Sequence, residues 1–447
     1  MRSNVETFSC LSKEQKEAAF LLSTGTFLEY FDLMLYVHMA VLLNELFFPT
    51  TDPNTAALLQ AFVFCSTFVF RPLGALFFGW IGDHISRKST VVITTTIMAI
   101  SCVIMANLPT YSQIGIAASW LITICRILQG LSSMGEIVGA ELYLTELTKP
   151  PAQYPIVGFV AVAATIGAVA ALGIASLVTS YTFNWRLAFW IGAIIAVVGA
   201  IARTALRETP EFADAKRRLR RKHEIAHIDQ KILQYDPIVN ERVNTYTALF
   251  IFIIYCEWPL CFYFIYIYCG NILKNSFAYS AEAVIQHNLI IAIVQFLTSL
   301  FVTLLSYKIH PLKIIKTKII VFLTLILFCP LLLNNITMPF HLLLIQSLII
   351  SFAGSALPAA PIFYKHLPVF KRFTYGSFIY ALSRAIMYVI TSFGIVYSTK
   401  YLGYYGFLII MLPISIGCYF AINHFKRLEK EAGNYPQEIT LIPEVAV

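Results

Sequence analysis

The sequence is poor in charged residues and lacks the motifs by which many enzymes are recognised. Only 13% of its 447 residues are Asp, Glu, Lys or Arg, whereas ordinary soluble domains carry roughly 25%. It contains no GxxxxGK[ST] phosphate loop, no HExxH zinc motif and no GxSxG nucleophile elbow. We therefore expect neither an enzyme nor a pump that hydrolyses ATP by itself, and we expect no cofactor.

Cysteine patterns are also missing. Zinc sites and disulfide frameworks need Cys or His at short, regular spacings, and the nine cysteines show none. We interpret them as small buried residues and predict no metal site. Residues 1–18 are hydrophilic, and the apolar block that follows is too long for a signal-peptide core, so we expect it to be retained as a first span.

Long apolar runs are what the sequence has in abundance. It is 58% hydrophobic and its mean hydropathy is +0.73. About 20 apolar residues cross a bilayer as a helix, and backbone polar groups in lipid must be satisfied within their own segment. We predict twelve spanning helices, at approximately 20–48, 57–81, 89–108, 113–140, 153–180, 186–206, 245–270, 283–306, 316–335, 339–361, 374–398 and 402–423.

A single long polar stretch divides these spans into two sets of six. Its basic run Lys216–His223 could bind nucleic acid or anionic lipid, but basic cytoplasmic loops are what the positive-inside rule expects. With the N-terminus in the cytoplasm, 26 of the 32 Lys and Arg residues lie on the cytoplasmic side and three on the other. We predict cytoplasmic termini, no nucleic-acid partner, and four regions: a six-helix bundle (1–206), a basic cytoplasmic linker (207–243), a second six-helix bundle (244–424) and a short cytoplasmic tail (425–447).

Two carboxylates, Glu29 and Asp32, lie inside the first span, and their spacing of three puts them on one side of a helix. A charge at the bilayer centre costs roughly 2.5–3.5 kcal/mol, so intramembrane acids usually mark a pathway, although they can also be merely paired structural charges. Together with Glu136 they make three acids against Arg71 and Arg126 in the first bundle. One carboxylate is then left without a cation and should bind a proton. We predict Glu29, Asp32 and Glu136 as proton-coupling residues.

The fourth span carries a polar stripe at spacings of three and four, consisting of Arg126, Gln129, Ser133 and Glu136. Arg126 is equally suited to pair with Asp32 and to bind substrate. In the second bundle, Glu257 and Arg384 either pair with each other or leave Arg384 for a substrate carboxylate. The aromatic residues nearby either hold an ammonium cation or serve as ordinary packing: Trp258, Tyr263, Tyr266, Tyr268, Tyr380 and Tyr388.

A short turn, GWIGDHISRK, joins the second and third spans at Gly79–Lys88. Asp83, Arg87 and Lys88 lie at the ends of two adjacent helices, where they can pair across the turn and with helix dipoles. We predict that they form a gate clamp. The turn resembles the signature loop of the major facilitator superfamily, with a histidine in place of its first cation and Ser86 in place of a glycine.

Four further motifs resemble the metabolite:proton symporters of that superfamily, a group that includes proline/betaine, ketoglutarate, citrate and shikimate carriers. They are Glu29–Asp32 (EYFD), Arg71–Gly74 (RPLG), Arg126–Glu136 (RILQGLSSMGE) and Leu206–Phe212 (LRETPEF). The second half resembles the group less closely, because Tyr307 stands where its loop would carry an acid.

The resemblance implies an all-α membrane protein of twelve transmembrane helices in two six-helix bundles, with substrate held between them. It implies proton-coupled symport of a small zwitterion or organic acid by alternating access, in the lipid bilayer of a bacterial inner membrane. Residues expected to bind substrate or pair its charges are Arg71, Arg126, Gln129, Glu257 and Arg384. Two alternatives remain: an exchanger that is not driven by protons, and a sensor on the same fold that does not transport.

Overall fold

A computed structural model describes residues 11–48, 67–133, 137–180, 184–203 and 241–436, and within these ranges the chain is mostly helical. In the first half the described helices are α1 (Lys13–Phe47), α2 (Arg71–His84), α3 (Arg87–Asn107), α4 (Ile116–Ser132), α5 (Ile137–Leu147), α6 (Gln153–Ser180) and α7 (Arg186–Arg203). A single helical turn, Tyr111–Ile114, precedes α4. Together α4 and α5 occupy the fourth predicted span and extend it to Leu147.

The second half begins with α8 (Thr245–Phe262), which continues through a π-helix (Tyr263–Tyr268) into α9 (Cys269–Phe277). The remaining helices are α10 (Ala281–Leu305), α11 (Pro311–Asn334), α12 (Pro339–Phe352), α13 (Ala360–Lys365), α14 (Arg372–Leu402) and α15 (Leu408–Glu431). A 3₁₀ turn at Gly403–Phe407 links the last two. Residues 207–240 of the predicted basic linker lie outside the described residues.

The described helices agree with the predicted all-α membrane class. Eight helical stretches among them are long and apolar enough to cross a bilayer, one of which includes both α14 and α15, and α12 is a shorter apolar helix. Several begin at a residue whose side chain satisfies free N–H groups of the first turn. Ser86 caps α3, Asn244 caps α8 and Ser280 caps α10 in this way.

One predicted span is interrupted. We expected a continuous helix over 339–361, but α12 ends at Phe352 and α13 begins only at Ala360. Pro358 lacks a backbone N–H and restricts the residue before it, so the helix cannot run through this position unchanged. Gly354 also allows close approach of another chain segment, because a Cβ on it would collide with the carboxylate of Glu257.

Small residues let the helices of the first half approach closely. A Cβ on Gly74 would collide with the backbone of Leu131, and one on Gly130 would collide with the backbone of Thr67. Apolar packing against lipid gains little from the hydrophobic effect, so such close backbone contacts are an important source of helix association in membranes. The two halves meet where α6 packs against α10 and where α2 packs against α14. A cavity lies between them.

Candidate functional site

The cavity has a volume of about 120 Å³ and is lined by both halves of the chain. Helices α1, α5 and α6 supply one wall, and α8, α10 and α14 supply most of the other. Most lining residues are apolar or aromatic, and several polar side chains interrupt them, among them Tyr30, Glu141, Tyr255, Gln295, Tyr380 and Arg384. A largely apolar cleft with a few polar groups is the usual form of a small-molecule site.

Arg384 is the cation of this wall, and it is held by aromatic rings. Its guanidinium carbon lies 3.3 Å from the ring centroid of Tyr380 and 5.8 Å from that of Tyr255. One of its nitrogens also donates to the carbonyl of Tyr380 at 3.4 Å. Rings keep a guanidinium in place without neutralising its charge. Arg384 therefore keeps a positive charge available to an anionic group in the cavity.

Glu141 is the carboxylate of the opposite wall, and the sequence interpretation missed it. The side chain is 7% exposed, and its Oε2 accepts a hydrogen bond of 2.7 Å from the hydroxyl of Tyr364. The charges of Glu141 and Arg384 lie close enough to interact. Glu141 was overlooked because the fourth span was ended at residue 140, whereas the helix continues to Leu147. Inspection of the residues directly after the predicted end of this span would have identified Glu141.

The predicted aromatic lining is present in part. Trp258, Tyr266 and Tyr380 line the cavity, and the Tyr266 hydroxyl donates to Gln295 at 2.8 Å. Tyr388 instead packs on Phe68 of the first half, with ring centroids 4.2 Å apart. Tyr263 and Tyr268 are not among the described residues that line the cavity.

Asp32 and Arg126 lie in the interior of the first half, and Gln129 stands between them. The Gln129 amide nitrogen donates to Oδ2 of Asp32, and Arg126 donates to the Gln129 carbonyl at 2.8 Å. Arg126 also lies 4.0 Å from the ring centroid of Tyr36. Among the described residues, Oδ1 of Asp32 has no hydrogen-bond partner. The structure therefore brings the predicted pair together through an amide rather than by direct contact.

Glu29 is close enough to Arg71 for their charges to interact, and both side chains are 2% exposed. The guanidinium of Arg71 also lies 4.6 Å from the Phe68 ring centroid. Beside Glu29, the Tyr30 hydroxyl contacts the Tyr380 hydroxyl at 3.0 Å and so joins α1 to α14. The third predicted acid, Glu136, lies outside the described residues.

The structure does not show the first alternative, in which Glu257 pairs with Arg384. It is 1% exposed within the second half and is not among the described residues lining the cavity. The cation whose charge acts on it is Lys318 of α11, so the structure does not bring Glu257 and Arg384 together. Its carboxylate instead lies against the helix break at Gly354.

Asp83 links the two halves at one end of the molecule. Its carboxylate accepts from the backbone N–H groups of Phe373 at 3.1 Å and Thr374 at 2.7 Å, and from the Thr374 hydroxyl at 2.6 Å. These are free donors of the first turn of α14, where a helix favours negative charge. Lys88 is half-buried in the first turn of α3, and the side chain of Arg87 lies outside the described set.

Two further contacts join the halves near Asp83, and we call this end of the molecule the clamp end. Arg372 forms an ion pair of 3.4 Å with Glu146, and Lys365 donates to Gln153 at 2.6 Å. The sequence interpretation predicted neither contact, because each joins residues more than 200 positions apart. Helical periodicity carries no information about such pairs.

Comparison with known proteins agrees with this architecture. The profile of the Major Facilitator Superfamily matches residues 22–392, which is most of the chain, so the chain belongs to this superfamily. It is a multi-pass integral membrane protein, and its superfamily consists of transporters rather than enzymes.

Curated relatives resemble mainly the first half. The proline/betaine transporter of Escherichia coli (strain K12) is 32% identical over 204 residues, which are 44% of this chain and 41% of the relative. The glycine betaine/proline/ectoine/pipecolic acid transporter OusA of Dickeya dadantii (strain 3937) is 29% identical over 299 residues, 64% of this chain and 58% of the relative. The matched region of the chain thus spans about half the length of these relatives.

Solved structures show the same fold over the whole chain. The proton:xylose symporter XylE gives a TM-score of 0.74 at 12% identity, covering 95% of this chain and 96% of XylE. The Escherichia coli fucose:proton symporter FucP gives 0.66 at 15% identity, covering 93% of this chain and 99% of FucP. These matches confirm the predicted major facilitator fold.

Proposed function

We propose that this chain is a proton-driven symporter of a small zwitterion that works by alternating access. The observation that carries this proposal is the cavity between the halves, in which Glu141 presents a carboxylate and Arg384 a guanidinium from opposite walls. Transporters of this fold bind substrate near mid-membrane between their two bundles. A ligand bound here would contact both halves at once.

The two opposite charges favour a zwitterion over a dicarboxylate. A ligand carboxylate can pair with Arg384, and a ligand ammonium group can approach Glu141 and the faces of Tyr255 and Trp258. A second carboxylate on the ligand would instead meet Glu141 and be repelled. Such repulsion contributes to specificity as much as attraction does.

Asp32 is our proposed proton site. Its side chain is 2% exposed and receives an amide hydrogen bond instead of a direct ion pair. Protonation of this carboxyl group would break no direct ion pair, because Gln129 stands between it and Arg126. Arg126, which donates to the same Gln129, would adjust this exchange rather than bind ligand. Buried acids of this kind commonly relay protons in membrane carriers.

Alternating access also needs a gate, and the contacts at the clamp end are suited to form one. In this structure Asp83, Glu146 and Gln153 of the first half all bind residues of the second half there. We propose that these contacts break when the clamp end, predicted to face the cytoplasm, opens to release ligand. The names of the relatives support the solute class, since two of them are transporters of proline and betaine.

The test is uptake into proteoliposomes under an imposed pH gradient, with radiolabelled proline, glycine betaine, ketoglutarate and citrate. We expect accumulation of proline or glycine betaine that collapses when a protonophore is added, and no accumulation of citrate. Counterflow without dependence on the gradient would instead identify an exchanger. Ligand binding without accumulation would identify a sensor.

A further inference from the structure

A chain of hydrogen bonds crosses from the first half to the second at the cavity wall. Oε2 of Glu141 accepts from the Tyr364 hydroxyl at 2.7 Å, and that hydroxyl accepts from the Tyr255 hydroxyl at 2.8 Å. Glu141 belongs to α5, Tyr364 to α13 and Tyr255 to α8. All three residues are buried, with exposed fractions of 7%, 0% and 4%.

This chain lies between the cavity and the clamp end. Glu141 and Tyr255 line the cavity, whereas Tyr364 immediately precedes Lys365, which binds Gln153 at the clamp end. Along α5, Glu141 is five residues from Glu146, or about 7.5 Å at the usual helical rise. The Glu141–Tyr364 bond therefore joins the cavity to a residue next to the clamp end, and a ligand could act on the clamp end through it.

The strength of this bond depends on the charge of Glu141. A hydrogen bond to an ionised carboxylate is roughly twice as strong as one to a neutral acceptor. A ligand cation that approaches Glu141 from the cavity would offset its negative charge and weaken the bond from Tyr364. A ligand can shift a conformational equilibrium only through such a difference between the two states.

We propose that Glu141 senses the cationic group of the ligand and that Tyr364 transmits its occupancy to the clamp end. When no ligand cation is bound at Glu141, Tyr364 holds the two halves together beneath the cavity. When a ligand cation pairs with Glu141, this contact loosens and opening at the clamp end becomes more favourable. The class of ligand in this inference rests on the proposed function, whereas the Glu141–Tyr364 contact does not depend on it.

The experiment needs a reporter of opening, and Val138 provides one. It is fully buried on α5, one helical turn from Glu141, and faces Gly376 of the second half. The parent protein for the test carries Val138→Cys and must first be shown to retain uptake. A membrane-impermeant maleimide is added to inside-out vesicles, which present the predicted cytoplasmic end, and separately to right-side-out vesicles. Protein without Val138→Cys gives the background from the native cysteines.

We expect slow labelling of the parent without ligand and labelling several-fold faster with glycine betaine. Tyr364→Phe removes the donor and should label about ten-fold faster than the parent without ligand, with little further change on adding glycine betaine. Glu141→Gln keeps a neutral acceptor and should label about five-fold faster without ligand. Tyr397→Phe, at a site 66% exposed on α14, is the matched control and should behave as the parent.

Binding measurements separate this role from simple loss of structure. Tyr364→Phe retains Glu141, so it should bind glycine betaine within about three-fold of the parent, whereas Glu141→Gln should bind it at least about ten-fold more weakly. Melting temperatures in detergent identify variants that do not fold. If Tyr364→Phe is one of them, the nearly isosteric Glu141→Gln carries the test.

The proposal is overturned if the folded Tyr364→Phe or Glu141→Gln protein labels as slowly as the parent without ligand. It is also overturned if glycine betaine accelerates the labelling of these variants by the same factor as it accelerates that of the parent. Failure of the proposed function would look different, because the parent would neither bind nor accumulate any of the four solutes. The ligand-free comparison would then still decide whether the Tyr364 bond holds the halves together.

Discussion

The two halves of the chain hold their buried charges in different ways. In the first half, Asp32 and Arg126 are joined through Gln129 inside the bundle and are not among the described residues lining the cavity. In the second half, Arg384 lines the cavity and is stacked against Tyr380. A carboxylate that is hydrogen-bonded inside one bundle can exchange a proton there. A guanidinium that is stacked on aromatic rings at the cavity can bind an anionic group of the ligand. We infer that Asp32 in the first half exchanges the proton and that Arg384 in the second half binds the ligand carboxylate, while Glu141 adds a first-half charge to the ligand site.

The largest expected effect is that of Asp32→Asn in the first half. Asparagine cannot exchange a proton, so accumulation driven by a pH gradient should fall at least about ten-fold while counterflow of glycine betaine remains measurable. Both are measured in proteoliposomes. Glu17→Gln, an exposed position on the same helix, is the matched control. Accumulation at the parental level in Asp32→Asn would remove the proton task from the first half.

The next effect is that of Arg384→Gln in the second half. Loss of the guanidinium should raise the KM for glycine betaine about ten- to a hundred-fold, because the ligand carboxylate loses a charge-assisted partner. Initial uptake rates over a range of concentrations give this value. Arg427→Gln, whose side chain is 68% exposed, is the control. An unchanged KM, with only the dependence on the pH gradient lost, would reverse the division between the halves.

The smallest effect on transport is expected for Glu257→Gln. Glu257 lies against Gly354 and interacts with Lys318 rather than with a group at the cavity, so the KM should stay within about two-fold of the parent. Stability should fall instead, because Lys318 loses its interacting acid, and the melting temperature in detergent measures this loss. A large change in KM at unchanged stability would place Glu257 in the ligand path.

The secondary structure was largely predictable from the sequence because hydrophobic runs and capping residues are local. The predicted third span, 89–108, corresponds to α3 at Arg87–Asn107, and the predicted fifth span, 153–180, corresponds to α6. The break between α12 and α13 was not predicted, since all of 339–361 is apolar enough to cross a bilayer. Part of the cause lies far away in the sequence, because the carboxylate that lies against Gly354 belongs to Glu257 on α8.

The candidate site was predictable in its residue types more than in its pairings. Buried charge alone selected Asp32, Arg126 and Arg384, and all three are buried in the structure. The actual partner of Glu257 could not be inferred, because any of several cations was compatible with its position on a helix. Glu141 was missed because the predicted span ended at residue 140, so that a buried acid of a helix running to Leu147 was taken for a loop residue.

The bond between Asp83 and α14 has a consequence for how the protein tolerates mutation. Two of the hydrogen bonds that Asp83 accepts from α14 come from main-chain N–H groups, at residues 373 and 374. Every amino acid except proline supplies such a donor, so most substitutions at these two positions leave the main-chain part of the contact intact. The acceptor, by contrast, is the side-chain carboxylate of Asp83, which most substitutions at this position would remove. Position 374 can therefore vary more freely than Asp83, whereas position 373 is constrained by its own side chain, since the Phe373 ring is fully buried and packs against Gly82 and Gly139.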